Sequence, residues 1–352
     1  MRRPVRVIDT GLRPARWNIA FDQALIELHR DGKIGDTIRF LRFPRSALVG
    51  RHQALAREIR LDWCRANGVE IARRITGGGA IWFEPAHLGW ELVLPRAALG
   101  LRLDEVTERI CQAAAAGLRR LGLDAAFRPR NDIEVAGRKI SGTGGFFDGG
   151  ALFYQGTVLC DLDLEAMAEA LVLPVEKLGR RGLAALAERV TTVRRELGNV
   201  PDFTSLETAL LAGLAQGLDL DPASGAVAAV ETELADRLLR EEIGTASFVE
   251  GPDLPAAPDV LSGTKLAAGG LIEAHVRLRP GAERRIQQVV FTGDFFCAPP
   301  RAVTDLEAAL AGLPAGDSAS TVARFFAARL PVIVGAGAED FAAALAVALA
   351  PS

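Results

Sequence analysis

The sequence predicts an α+β fold in which mixed or antiparallel sheets carry packed helices, followed by a smaller α+β domain. Three observations predict it. The first half alternates short β-like runs with a few amphipathic helices, and polar or glycine-bearing turns join many of the runs, as antiparallel neighbours require. The length, 352 residues, exceeds what one hydrophobic core usually organises. The stretch PDLPAAP, Pro252–Pro258, packs three prolines into seven residues, which stiffens a connector and excludes regular structure.

Taken in order, Ile19, Ala20, Ala24, Leu25 and Leu28 recur at helical spacing and predict a helix over Trp17–Arg30. A second helix is expected over Asp104–Leu121, with Asp104 as its cap. Strands are expected at Thr37–Phe43, Ser46–Gly50, Val69–Arg74, Ala80–Phe83, Trp90–Leu94, Ile133–Val135, Arg138–Gly142 and Leu152–Leu159. From Leu164 to Arg240 the pattern turns helical, clearest at Ser205–Leu218. Beyond the prolines, Gly270–Leu278 and Arg285–Phe296 alternate like two strands around Arg279–Pro280–Gly281, and three Ala/Leu-rich helical segments follow. The expected organisation is a large domain over 1–251, a linker over 252–258 and a small domain over 259–352.

Composition excludes several classes. With 49% hydrophobic and 24% charged residues, the chain can build a core and does not read as disordered or coiled-coil. The apolar run Ala342–Ala350 has nine residues, short of the ~20 that a bilayer needs. Arginines at the N-terminus precede no apolar stretch of a signal peptide, so a cytoplasmic location without membrane partners is expected. A net charge of −3 supplies no basic field for nucleic acid. Cys64, Cys111, Cys160 and Cys297 lie far apart without a C-x-x-C pair, so reduced, buried thiols are expected rather than zinc or disulfides. Only Lys33, Lys139, Lys177 and Lys265 are lysines among 41 basic residues. A lysine within a motif therefore stands out, as a compact point charge where the chain otherwise uses planar guanidinium.

Two segments concentrate chemistry. In Arg73–Arg74–Ile75–Thr76–Gly77–Gly78–Gly79–Ala80, three successive glycines remove every Cβ, so backbone N–H groups can approach a phosphate or carboxylate closely. The two guanidiniums can fork onto such an anion. A strand rather than a helix is expected to follow, which excludes a dinucleotide fingerprint and a P-loop. A tight turn would use the same residues, so the triplet alone leaves both readings open. Asn131 to Gly145 reads as a hairpin, turning at Ala136–Gly137, with Lys139 leading a strand that ends in a second glycine-rich bend. It gathers an amide, Asn131, a carboxylate, Asp132, and the rare ammonium of Lys139. Asp132 offers a hard ligand for Mg²⁺, and Lys139 a cation for phosphate oxygens or a developing carbonyl charge. A solvated surface hairpin would look the same. Downstream, Tyr154–Gln155–Gly156–Thr157–Val158–Leu159 reads as a core strand whose Gly156 lets something approach its backbone.

RRITGGGA, NDIEVAGRKISGTGG and QGTVL, in this order and spacing, resemble the blocks of lipoate–protein ligases within the biotin/lipoate ligase and transferase superfamily. Ser46–Gln53 is similar to that family's V-x-I-G-R-H-Q segment, and Lys177 through Glu188–Arg189–Val190–Thr191 to its adenylate loop. Gly270–Ala274 with Gly293–Phe296 is similar to the accessory domain of the long ligases. The resemblance implies ATP- and Mg²⁺-dependent activation of lipoate to lipoyl-AMP, then transfer to a lysine of a lipoyl carrier domain. That carrier would be a 2-oxoacid dehydrogenase E2, a glycine cleavage H protein or a related protein. It implies that Arg74 and Gly79–Ala80–Ile81–Trp82 contact the nucleotide, helped by Gly77, Gly78, Asn131, Asp132, Gly156 and Thr157. Lys139 would bridge the acyl carbonyl and α-phosphate, and Asp132 would serve Mg²⁺. It further implies a catalytic domain over 1–251 and an accessory domain over 259–352 that hinges near the prolines.

The family's usual histidine, aspartate and asparagine after the glycines are Phe83, Glu84 and His87 here, and the histidine of its H-G-T block is Gln155. These changes bear on which acid is taken. Two other readings follow: an octanoyl or lipoyl transferase, either cysteine-independent or working through a thioester on Cys160, and a non-catalytic paralogue that binds acyl-adenylate or carrier. Biotin ligation is disfavoured because its G-R-G-R-x-G-R loop is replaced by Arg73–Ala80.

Overall fold

A computed structural model of the chain describes residues 2–100, 102–172, 180–251, 257–281, 283–299, 301–329, 331–333 and 335–350. Lys177 and residues 252–256 of the expected connector lie outside the described residues. In chain order the elements begin with β1 (Arg3–Leu12), α1 (Ala15–Arg30), β2 (Thr37–Arg42), β3 (Ser46–Val49), α2 (Leu55–Glu58), α3 (Leu61–Ala66), β4 (Glu70–Arg73), β5 (Ile81–Phe83) and β6 (Leu88–Pro95). Next come α4 (Leu103–Arg119), β7 (Ala125–Arg128), β8 (Asp132–Val135), β9 (Arg138–Asp148), β10 (Ala151–Val158), α5 (Leu164–Ala170), α6 (Arg180–Arg189) and α7 (Val193–Leu197). The rest are α8 (Phe203–Gly217), β11 (Leu220–Ser224), α9 (Ala229–Leu238), α10 (Ala246–Glu250), β12 (Val260–Ala267), β13 (Gly270–Leu278), β14 (Ile286–Gly293), α11 (Ala302–Leu310), α12 (Ser318–Arg329) and α13 (Ala338–Leu349). These elements gather into two compact units.

The first unit comprises 1–48, 59–72 and 81–245. Its main sheet has the order β11-β1-β2-β6-β10-β9-β8-β7. β1 pairs in parallel with both neighbours, and the strands from β2 to β7 run antiparallel, so the sheet is mixed, as the sequence predicts. α1 covers one face: Arg39 on β2, fully buried, donates to Asp22 and Asn18 of α1 and to Glu91 of β6. Burial raises both carboxyls above their ordinary range. α4 covers the other face, where the Cys111 thiol meets Thr143 of β9 and Tyr154 of β10 at 3.2 and 3.6 Å. Two expectations are corrected. Asp104 lies in the first turn of α4 rather than at its cap, which is Arg102 without a capping side chain. The glycines after Ser141 do not end the lysine strand, because β9 runs on to Asp148. A Cβ at Gly145 would stand 2.3 Å from the Phe153 carbonyl oxygen, so this glycine lets β9 and β10 lie close.

The second unit comprises 49–58, 73–80 and 246–352. Its antiparallel sheet, β12-β13-β14, packs Ile272, Ala274, Val276, Val289 and Phe291 into one core with Leu306, Phe341 and Leu345 from the helices. The strand β12 is additional to the two that the sequence predicts. Within this core Glu307 accepts a hydrogen bond from the Phe291 amide at 2.8 Å, and burial pushes its carboxyl up to about 7. A raised carboxyl favours the protonated form in the fold, so its stabilisation is complete below ~4.3 and is lost as pH rises through 7. Glu307→Gln keeps the acceptor without the charge. Denaturant unfolding should show the stability of the variant relative to the wild type rising by on the order of 2–3 kcal/mol between pH 5 and pH 8.

Candidate functional site

In the first unit the candidate site is the β8–β9 hairpin. Ala136 and Gly137 both take positive φ, 49° and 76°, the backbone that a two-residue hairpin turn demands. Pairing sets Asp132 opposite Gly142 and Glu134 opposite Lys139, with a register shift between. The Lys139 ammonium reaches Asp132 Oδ1 at 2.7 Å, and its side chain keeps 39% of its exposure. A Cβ at Gly142 would stand 2.8 Å from Lys139 Cε and Nζ, so the missing side chain gives the ammonium its room. The Thr157 hydroxyl lies 3.4 and 3.5 Å from the amide and carbonyl of Gly142. Asn131 is held in place by Thr143: its side-chain amide donates to the Thr143 carbonyl, and its own carbonyl accepts the Thr143 amide at 3.0 Å and hydroxyl at 2.8 Å. The structure thus brings Asn131, Asp132, Lys139 and Thr157 together. At Gly156 the approaching group is internal, since a Cβ there would lie 2.2 Å from the Trp90 indole.

The glycine triplet belongs to the second unit, where its residues have distinct environments. A Cβ at Gly77 would stand 2.2 Å from the Phe295 carbonyl, one at Gly78 would meet the Phe296 ring at 3.0 Å, and one at Gly50 would overlap the Gly78 carbonyl at 1.9 Å. The contacts at Gly77 and Gly50 are close backbone crossings, and that at Gly78 is to an aromatic side chain. Around Gly79 nothing lies within 4 Å of the Cβ position, so here bare backbone faces open space. Arg74 folds onto its own loop, donating to the carbonyls of Gly77 and Gly79 at 3.1 and 2.8 Å and to Thr76 Oγ1 at 3.3 Å. Arg73 is also buried, but on backbone alone: its guanidinium donates to the carbonyls of Gly50, Arg51, Gln53, Phe248, Val249 and Glu250. Arg73 thus ties three chain segments together, a structural role that residue type alone does not separate from that of Arg74. Burial lowers both guanidiniums to about 10, leaving them charged at neutral pH.

Ala80 and Ile81 are half-buried and Trp82 is buried, with Ile81 and Trp82 on β5 opposite Leu48 and Ala47. Phe83 stacks on Phe43 at 4.3 Å. His87 donates from Nε2 to the Asp161 carbonyl at 2.9 Å, and burial lowers it to about 4, so it stays neutral. His52, stacked on Phe295 at 4.9 Å and lowered by burial to about 3, is neutral too. All four cysteines are buried and unbridged. Burial pushes the Cys160 and Cys297 thiols up to about 12 and raises those of Cys64 and Cys111. Among the described residues no group of three His, Cys, Asp or Glu side chains converges to hold a metal, and no helix is long and apolar enough to cross a membrane.

Mixed and antiparallel sheets with packed helices make this an α+β protein, and its candidate site is a lysine–aspartate hairpin. The chain belongs to the lipoyl protein ligase A/B catalytic domain family, whose model matches residues 14–215. Relatives divide between two activities within that family. Octanoyltransferase LipM of Symbiobacterium thermophilum is 28% identical over 262 residues, covering 68% of this chain and 95% of its own. A chain from a structural analysis of an archaeal lipoylation system, a bi-partite lipoate protein ligase and its E2 lipoyl domain from Thermoplasma acidophilum, is 25% identical with a TM-score of 0.64. It covers 73% of this chain and all of that one. Lipoate-protein ligase A bound with ATP is also 25% identical, with a TM-score of 0.62 over 71% of this chain and 99% of that one. The protein is an enzyme of the lipoate ligase and octanoyltransferase family, and its α+β fold is that of the ligases.

Proposed function

We propose that the chain activates lipoate with ATP to lipoyl-AMP and transfers the lipoyl group to a lysine of a lipoyl carrier domain, with 1–251 as catalytic and 259–352 as accessory domain. The observation that carries this reading over a thioester transferase is the contrast between cation and thiols. Lys139 presents an ammonium over a strand stripped of side chains at Gly142, whereas every thiol is buried and held toward its protonated, poorly nucleophilic form. The ATP-bound relative and the relative that acts with an E2 lipoyl domain support the same nucleotide and partner here.

Attack of a carboxylate on the α-phosphorus brings anions together, and positioned cations are what that transition state requires. Lys139 would bridge the acyl carbonyl and the α-phosphate, and Asp132 orients the ammonium. Arg74, Gly77, Gly78, Gly79, Ala80, Ile81 and Trp82 would contact the nucleotide, with Gly79 as the glycine whose backbone is open to it. In the second step the acceptor amine attacks the mixed anhydride, and AMP leaves without need of a thiol. Among the described residues no cage for Mg²⁺ is built, and Asp132 commits Oδ1 to Lys139. Mg²⁺ belongs to the proposal as the counter-ion that ATP brings on its phosphates.

Cys160→Ser and Cys111→Ser are expected to retain lipoate-dependent pyrophosphate release within about twofold, because neither thiolate is populated near neutral pH. Octanoyl transfer that needs no ATP and vanishes in Cys160→Ser would instead establish the transferase.

A further inference from the structure

The edge of the lysine strand is completed by a distant segment. β10 lines β9 only as far as Ile140, whose carbonyl accepts the Leu159 amide at 2.9 Å. Beyond that point Lys139 forms a parallel bridge with Val190, and its carbonyl accepts the Thr191 amide at 2.9 Å. The backbone of Lys139 is therefore held between β8 and residues that follow α6. One carboxylate fastens this arrangement. The Thr191 hydroxyl donates to Glu196 Oε1, and the Arg138 guanidinium donates to the same oxygen at 3.0 Å. Glu196 itself sits in α7, which Thr192 caps by accepting the Arg195 amide at 3.1 Å.

We propose that Glu196 is a positioning residue for Lys139, clamping Arg138 to Thr191 so that the Val190–Thr191 edge of the lysine's strand stays closed. The proposal rests on the reading of Lys139 as the cation of the adenylation step. Arg138 precedes the lysine on β9, and the Thr191 amide bonds the lysine's own carbonyl, so one carboxylate holds the side chains of the residue before the lysine and of the residue bonded to its carbonyl. Without it, the Val190–Thr191 segment is released from the strand and the ammonium loses its fixed origin. A misplacement of about 1 Å at a reacting group costs on the order of 100-fold in rate.

The test compares Glu196→Ala and Glu196→Gln with the full-length wild type, measuring lipoate-dependent pyrophosphate release and amide hydrogen exchange. Glutamine keeps an oxygen that accepts from both Thr191 and Arg138. Glu196→Ala should lower kcat about 30- to 100-fold while the KM values for ATP and lipoate stay within about threefold. Glu196→Gln should recover most of that loss. Exchange should quicken in Glu196→Ala at the Thr191 amide and leave the Phe291 amide in the second unit unchanged. Wild-type kcat in Glu196→Ala, or unchanged exchange at Thr191, overturns the proposal. A wild-type chain that releases no pyrophosphate at all sinks the ligase reading instead, and the clamp then stands or falls on the Thr191 exchange.

Discussion

Lys139→Ala is expected to lower lipoate-dependent pyrophosphate release by about 10³-fold or more, while leaving the fold intact. Removal of a single preorganised donor at a developing charge costs ~10²–10³ in rate, and a full ammonium contributes more. The fold survives because the side chain is substantially exposed and its ion pair with Asp132 is a surface one, worth at most about 1 kcal/mol. Lys139→Arg should recover little, since a planar guanidinium is bulkier than the ammonium that lies over Gly142 and presents its donors in a fixed fork. Circular dichroism and thermal unfolding check the fold, and pyrophosphate release checks the chemistry. An active Lys139→Ala enzyme would leave the hairpin without its assigned purpose.

The second large effect is on stability. Arg73→Ala should destabilise the second unit by about 3 kcal/mol or more, because it strips donors from buried carbonyls and each unsatisfied polar group costs about 1–3 kcal/mol. Six carbonyls from 50–53 and 248–250 share this guanidinium. Gly251, at φ +62°, leaves its space, since a Cβ there would lie 2.4 Å from Nη2. Arg73→Lys should fall between wild type and alanine, an ammonium having three donors where the guanidinium has five. Denaturant unfolding followed with hydrogen exchange over residues 246–251 measures the loss. Unaltered unfolding in Arg73→Ala would show that these hydrogen bonds carry no net stability.

Much of the lysine hairpin is legible in the sequence, because its determinants are local. Ala136–Gly137 marks the turn, strand alternation marks β8, and scarcity marks Lys139. The glycines are legible only as absences of side chains. What fills the space at two of them comes from far along the chain: the Phe295 carbonyl at Gly77 and the Trp90 indole at Gly156. For the same reason Thr143–Gly145 reads as a bend when it is strand, since tertiary contacts there override the poor strand propensity of glycine. β1 and β11 escape notice because Pro4, Pro222 and alternating charges weaken their pattern, and their parallel pairing leaves no hairpin signature. Arg73 and Arg74 are neighbours of the same type, so no local signal separates the one that binds six carbonyls from the one that wraps the glycine loop. Val190–Thr191 lies some fifty residues from Lys139, and no periodicity could pair them.

Isotope exchange between pyrophosphate and ATP tests most directly whether acid and nucleotide are joined at Lys139. Label should enter ATP only when lipoate is present, equally in the wild type and in Cys160→Ser, and not in Lys139→Ala. Acyl transfer to a lipoyl domain without ATP, with no exchange under any condition, would contradict it.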